Sequence, residues 1–158
     1  MNFLEQLLAE WYQYKGYYVR QNIKIGKREK GGYAGEIDIL AYEPKTKIIL
    51  HIEASSDTYS WKTREEKFER KFRVAKEIIP SLFENFEYSE IQQKAIFLFA
   101  AKSREEIGGH KLYLASDVMQ EIYDDLKHKS ILNEIVPENF MLLRTIQVFV
   151  SSMKKMNL

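Results

Sequence analysis

The chain has 158 residues, 45% of them apolar and 13% aromatic, a formal net charge of +1 and no cysteine, which suits one domain with a packed core and excludes disulfides, thiolate zinc sites and a cysteine nucleophile. The near-zero charge means that a nucleic-acid surface must come from local segregation of charge. No stretch approaches the ~20 apolar residues of a membrane span, and Glu5 and Glu10 inside the first apolar run argue against a signal peptide, so a cytoplasmic protein is expected.

Residues 2–15 predict a helix: Phe3, Leu4, Leu7, Leu8, Trp11 and Tyr12 recur at helical spacing, and Gly16 ends the run. Glu10 reads as part of its solvated face. Residues 17–25 predict a first strand. The following GKREKGG, residues 26–32, predicts a mobile basic loop. Its Lys27, Arg28 and Lys30, with Lys24 just before, suit contacts to a phosphate backbone. An ordinary solvated hairpin loop has the same composition.

Residues 35–57, GEIDILAYEPKTKIILHIEASSD, organise the rest. Ile37, Ile39 and Ala41 alternate with Glu36, Asp38 and Leu40, which places Glu36 and Asp38 on one strand face. In the second run His51, Glu53 and Ser55 share one face and Leu50, Ile52 and Ala54 the other. Pro44 among polar residues predicts a turn, hence a hairpin. Its pairing can set Asp38 beside Glu53. Two carboxylates on a half-buried sheet repel each other unless a cation lies between them, and oxygen ligands without sulfur suit Mg²⁺ or Mn²⁺.

A helix over residues 61–79 follows, closed by Pro80, with Phe68, Phe72, Ala75 and Ile79 on its apolar stripe and Lys67 and Lys71 at the border. Residues 81–93 read as loop. Residues 94–101, KAIFLFAA, predict a central strand covered on both sides. Residues 102–111 read as loop with an exposed His110, and 111–115 as a last strand. Ser116 is the expected N-cap of a helix over 117–129. Pro137 suits the first turn of a final helix over about 140–155, within which 146–150 also tolerate a strand. The sum is a mixed α/β sheet flanked by helices, with a crossover helix and some parallel pairing.

The 35–57 stretch resembles the PD-(D/E)XK nuclease superfamily, which includes restriction endonucleases and Holliday-junction resolvases. That pattern is an Asp on one strand and Glu-x-Lys on the next strand of a hairpin. Asp38 matches the Asp, Glu53 the Glu and Ala54 the x, and Gly35-Glu36-Ile37-Asp38 resembles the form of the motif in several branches. The lysine position is Ser55. The resemblance covers about residues 1–115 and implies a restriction-endonuclease-like αβββαβ core, with residues 116–158 as a helical extension where oligomerisation, a homodimer included, or partner choice could be built.

The activity so implied is Mg²⁺- or Mn²⁺-dependent hydrolysis of DNA phosphodiesters. Asp38 and Glu53 would hold the metal, with the Ala54 carbonyl as a backbone ligand. Glu36 would support the site, and Glu5 matches a first-helix glutamate that in the family often reaches the metal. Some relatives supply the missing lysine from the helix after the hairpin. Lys71 is the first candidate for that role and Lys67 the second. Ser55 would hold a water, and His51 shares the Glu53 face. Lys24, Lys27, Arg28, Lys30 and Lys67 would contact the DNA backbone. Two alternatives stand beside this reading. One is a nuclease fold that binds DNA or a protein partner without cleaving. The other is an unrelated α/β protein in which the two carboxylates point to opposite faces.

Overall fold

The computed structural model describes residues 2–101 and 103–155, apart from the side chains of 154 and 155. The chain forms α1 (Phe3–Tyr14), β1 (Tyr18–Lys27), β2 (Tyr33–Glu43), β3 (Ile48–Ser55), α2 (Trp61–Leu82), β4 (Glu90–Phe97), β5 (Glu106–Ile107), β6 (His110–Leu114), α3 (Ala115–Leu126) and α4 (Met141–Lys155). The strands make one mixed sheet in the order β1-β2-β3-β4-β6-β5. β1, β2 and β3 form an antiparallel meander, β4 joins β3 in parallel, and β6 joins β4 in parallel. The expected mixed α/β sheet flanked by helices is the architecture found. Among the described residues no helix is long and apolar enough to cross a membrane.

One sheet face carries α1, α3 and α4, whose Leu4, Leu8, Trp11, Ile122 and Leu143 pack with Ile39, Leu50 and Ile52. The opposite face carries α2 alone. Its Ala75 and Ile79 meet Ile23, Ile37 and Ile49, and its Phe68 and Phe72 meet Ala95 and Phe97. β3 is buried along nearly its whole length, as a central strand covered by helices on both sides must be. Alternation within it follows the sequence: Leu50, Ile52 and Ala54 face α1, while His51 and Glu53 face α2.

Several expected boundaries shift. α2 runs through Pro80 to Leu82, because a proline in the last turn removes one hydrogen bond without meeting a long following helix. β4 starts at Glu90 and ends at Phe97, since its parallel register with β3 runs from Ile48–Glu90 to Ser55–Phe97. Its polar half, expected as loop, is drawn into the sheet by that partner. The loop expected over 26–32 shrinks to 28–32, because Lys27 and Tyr33 still pair. The loop expected over 102–111, whose residue 102 lies outside the described residues, contains a β5–β6 hairpin turning at Gly108 and Gly109, both with positive φ (57° and 73°). The N-cap of α3 is Leu114, whose N–H donates to Asp117 Oδ2 at 3.2 Å, not Ser116. Pro137 lies in a turn before α4, and residues 146–150 are helical.

Strict alternation in β2 also fails. Asn22 (φ 52°) interrupts the β1–β2 ladder opposite Asp38, a left-handed conformation that asparagine tolerates better than most residues. Beyond it Ile23, Ile25 and Ile37 turn towards α2, whereas Ile39 and Ala41 face α1. The β2–β3 ladder stops at Ile39–Ile52, one step short of Asp38 and Glu53. The Asp38 carboxylate takes the place of a backbone partner there: its Oδ2 accepts the Ala54 N–H at 3.0 Å.

Candidate active site

The site is built by three elements. β2 brings Asp38, β3 brings Glu53, and α2 crosses over them with Lys71. The Lys71 ammonium donates to Asp38 Oδ1 and Oδ2 at 3.0 and 3.1 Å and also to Glu53 Oε2. The two carboxylates therefore converge on one cation-sized position, which the ammonium holds. Glu53 is fully buried and Asp38 nearly so, and Lys71 reaches them along its own stem from the border of the apolar stripe.

Burial and repulsion show in the proton affinities. The Asp38 carboxyl is pushed up to about 6, first by burial and then by Glu53, against the pull of Lys71. Burial also raises Glu53, which Lys71 partly offsets. Burial by itself would lower Lys71, but Glu53 and Asp38 hold it above its usual range.

Behind Glu53 lies a second layer. His51 is fully buried and its Nε2 sits 2.7 Å from Glu53 Oε1. Gln93 Nε2 lies 2.9 Å from His51 Nδ1 and 2.9 Å from the Phe72 carbonyl. The amide gives one hydrogen to each acceptor, so Nδ1 accepts and Nε2 carries the proton it donates to Glu53. Burial lowers His51 to about 3, which keeps it neutral. One Glu53 oxygen is thus fixed by His51 and the other is left for a cation.

The remaining predicted residues fall as follows. Ser55 is buried beside Glu53 and its Oγ accepts the Asp57 N–H at 3.3 Å. Lys67 points to Asp57, 3.3 Å from Oδ2, not to the carboxylate pair. Glu36 is exposed and lines a cleft of about 480 Å³ with Gly35, Thr63, Lys67, Arg70 and Lys71. Glu5 completes a capping box at Asn2 on α1, on the sheet face opposite α2. Lys24, Lys27, Arg28 and Lys30 are exposed on the β1–β2 hairpin, with Lys24 Nζ 5.7 Å from the Tyr33 ring. His110, expected to be exposed, is half-buried in β6 with its ring 4.4 Å from that of Phe72.

Sequence reasoning missed three residues. The local pattern around Gln93 reads as loop, and only the β3–β4 register sets it beside His51. Arg64 is buried on α2. An arginine one turn before Phe68 on an apolar stripe was a readable signal. Glu10 is buried instead of solvated, and its Oε2 accepts the Leu142 and Leu143 N–H groups at 2.9 and 3.1 Å.

The side chains that converge offer oxygen donors only, the Asp38 and Glu53 carboxylates; of Ala54, expected to lend its carbonyl, the backbone contact seen at the site is the N–H it donates to Asp38. Among the described residues no group of three or more His, Cys, Asp or Glu side chains is disposed to hold an ion. One or two carboxylates with water and substrate phosphate completing the shell is the way Mg²⁺ is usually held, so the set fits Mg²⁺ or Mn²⁺ and not zinc. No family model and no curated protein matches the chain.

Proposed function

We propose that this protein is a divalent-cation-dependent nuclease that hydrolyses DNA phosphodiester bonds, on a restriction-endonuclease-like fold. The observation that carries this reading is the meeting of Asp38 and Glu53 over one cation position, with a helix lysine beside them. The order helix, three-stranded meander, crossover helix, parallel strand agrees with the αβββαβ core of that fold. Mg²⁺ or Mn²⁺ held by Asp38, Glu53 and the Ala54 carbonyl would supply charge stabilisation at the phosphate and a more acidic water.

The chain's own groups do the rest. Lys71 brings an ammonium to the place where negative charge grows on the phosphate oxygens, replacing the lysine that Ser55 lacks. The Ser55 hydroxyl accepts from Asp57 and keeps its own hydrogen to orient a water. His51 and Gln93 hold Glu53 in one orientation. Lys67 and Arg70 line the cleft where the strand would pass, with Lys24, Lys27, Arg28 and Lys30 on the neighbouring hairpin.

A second reading has its own support. Lys71 pairs with both carboxylates without any metal and offsets part of their mutual repulsion, so the cluster can persist as an ion-paired core, as a fold that binds DNA or a protein partner without cleaving would need. One assay separates the two. Supercoiled, branched and single-stranded DNA are incubated with Mn²⁺ and wild-type, Glu53→Ala or Lys71→Ala protein. Cleavage by the wild type that both variants lose supports the nuclease. No cleavage, with no stabilisation by millimolar Mn²⁺, selects the inactive fold.

A further inference from the structure

We propose that the loops leaving β3 and β4 form a rim that stacks the unpaired bases of single-stranded or branched DNA beside the carboxylate pair. This rests on the nuclease reading above and names its substrate class. Where strands run parallel, ligands gather beyond their carboxyl ends. β3 and β4 are parallel and end together at Ser55 and Phe97.

The chain leaving β3 presents Tyr59, 62% exposed, and the chain leaving β4 presents Phe99, 61% exposed. Both loops are fixed. The buried Arg64 donates Nε to Asp57 Oδ1 at 3.0 Å, one Nη to the Asp57 carbonyl and the other to the Phe99 carbonyl at 3.0 Å. One guanidinium thus ties the two loops to α2 and to each other. Its planar fork is what allows three bonds at once.

Cations interleave with the rings. Lys67 Nζ lies 5.9 Å from the Tyr59 ring, and Arg104 Cζ lies 4.6 Å from that of the half-buried Trp61. Aromatic faces alternating with Lys and Arg supply stacking for bases and charge for phosphates, the two things a single strand offers. A duplex keeps its bases stacked within the helix and presents phosphates, so exposed rings gain nothing from it. Lys67 precedes Lys71 by four residues, a little over one helical turn, a rise of ~6 Å. A strand followed from Tyr59 along Lys67 therefore arrives at Asp38 and Glu53.

The test measures binding by the full chain in EDTA, where cleavage plays no part. The probes are a fluorescent oligothymidylate, the matching oligouridylate and a DNA duplex of equal length, at one fixed salt concentration. The oligothymidylate should bind most tightly. The Tyr59→Ala/Phe99→Ala double variant should lose about five-fold or more of that affinity, with duplex affinity and melting temperature unchanged. Tyr59→Phe/Phe99→Tyr, which keeps both rings, should bind as the wild type does. Unchanged oligothymidylate binding in the alanine variant, or an equal loss on duplex, overturns the rim. Tighter binding of the oligouridylate overturns its assignment to DNA. If the rim behaves as stated but the wild type never cleaves, the nuclease reading fails alone; if the wild type cleaves and the alanine variant binds unchanged, the rim fails alone.

Discussion

Lys71 is the residue on which the site's electrostatics turn. It faces two buried acids that would otherwise repel each other. Lys71→Ala should destabilise the protein by roughly 2 kcal/mol, below the usual cost of stripping a buried pair because the lysine keeps some solvent contact. Millimolar Mn²⁺ should then stabilise the variant more than the wild type, since the ion replaces the ammonium. Thermal melts with and without Mn²⁺ check this, and an equal shift for both proteins would mean that the metal binds elsewhere. Asp38 and His51 give opposite pH dependences. Between pH 3.8 and about 6 the folded chain keeps an Asp38 proton that the unfolded chain has released, so this group lowers stability as pH rises through that window. Between pH 6.5 and about 3 the unfolded chain takes up a proton that buried His51 refuses, so stability is lost as pH falls through that window. In the wild type the two act in opposite directions where their windows overlap, and Glu53, also raised by burial, acts in the same direction as Asp38. Asp38→Asn removes the first and keeps the second. Its melting temperature should therefore fall more steeply than the wild type's as pH drops from about 6 to about 4; parallel melting curves would show that the two groups do not titrate in this way.

At the scale of elements, α2 decides the site. It crosses from β3 to β4 and carries Arg64, Phe68, Phe72, Ala75 and Ile79 inwards, so Lys71 is positioned by the packing of its neighbours. The β5–β6 turn is seated against this helix. A Cβ on Gly108 would lie 2.6 Å from the Glu69 backbone N and 2.9 Å from the Phe68 carbonyl carbon, whereas one on Gly109 would meet nothing within 4 Å. Both residues have positive φ. Gly109→Ala should cost about 1 kcal/mol for the conformation alone. Gly108→Ala should cost roughly 2–4 kcal/mol, because backbone must move as well. Urea unfolding of the two variants side by side measures the difference, and equal costs would mean that the turn does not brace α2.

For the whole molecule, one buried carboxylate ties α1 to the start of α4 within the far layer. Glu10 on α1 accepts the Leu142 and Leu143 N–H groups at the start of α4, where the helix dipole favours negative charge. Glu10→Ala should destabilise by about 2 kcal/mol, and Glu10→Gln, which keeps an acceptor, by less. Hydrogen exchange should accelerate first in α4; uniform acceleration would show that α4 does not open separately. α4 and α3 share their apolar cluster with α1, so loosening this layer acts on the sheet beneath Ala54.

The local pattern alone determined the hairpin, the crossover helix, the central, doubly covered place of the apolar half of β4 and the face shared by His51 and Glu53, because periods of two and of about 3.6 and unbroken apolar runs are written in neighbouring residues. It also singled out Lys71 through its place on the stripe border. Tertiary structure decided what depends on partners distant in the chain. The β3 register recruited Gln92 and Gln93 into a strand, Asn22 reversed the faces of β1 and β2 opposite Asp38, and helix packing turned Glu10 from a surface residue into a cap. The first and last of these are set by hydrogen bonds between residues far apart in sequence, and no local periodicity encodes such a pairing.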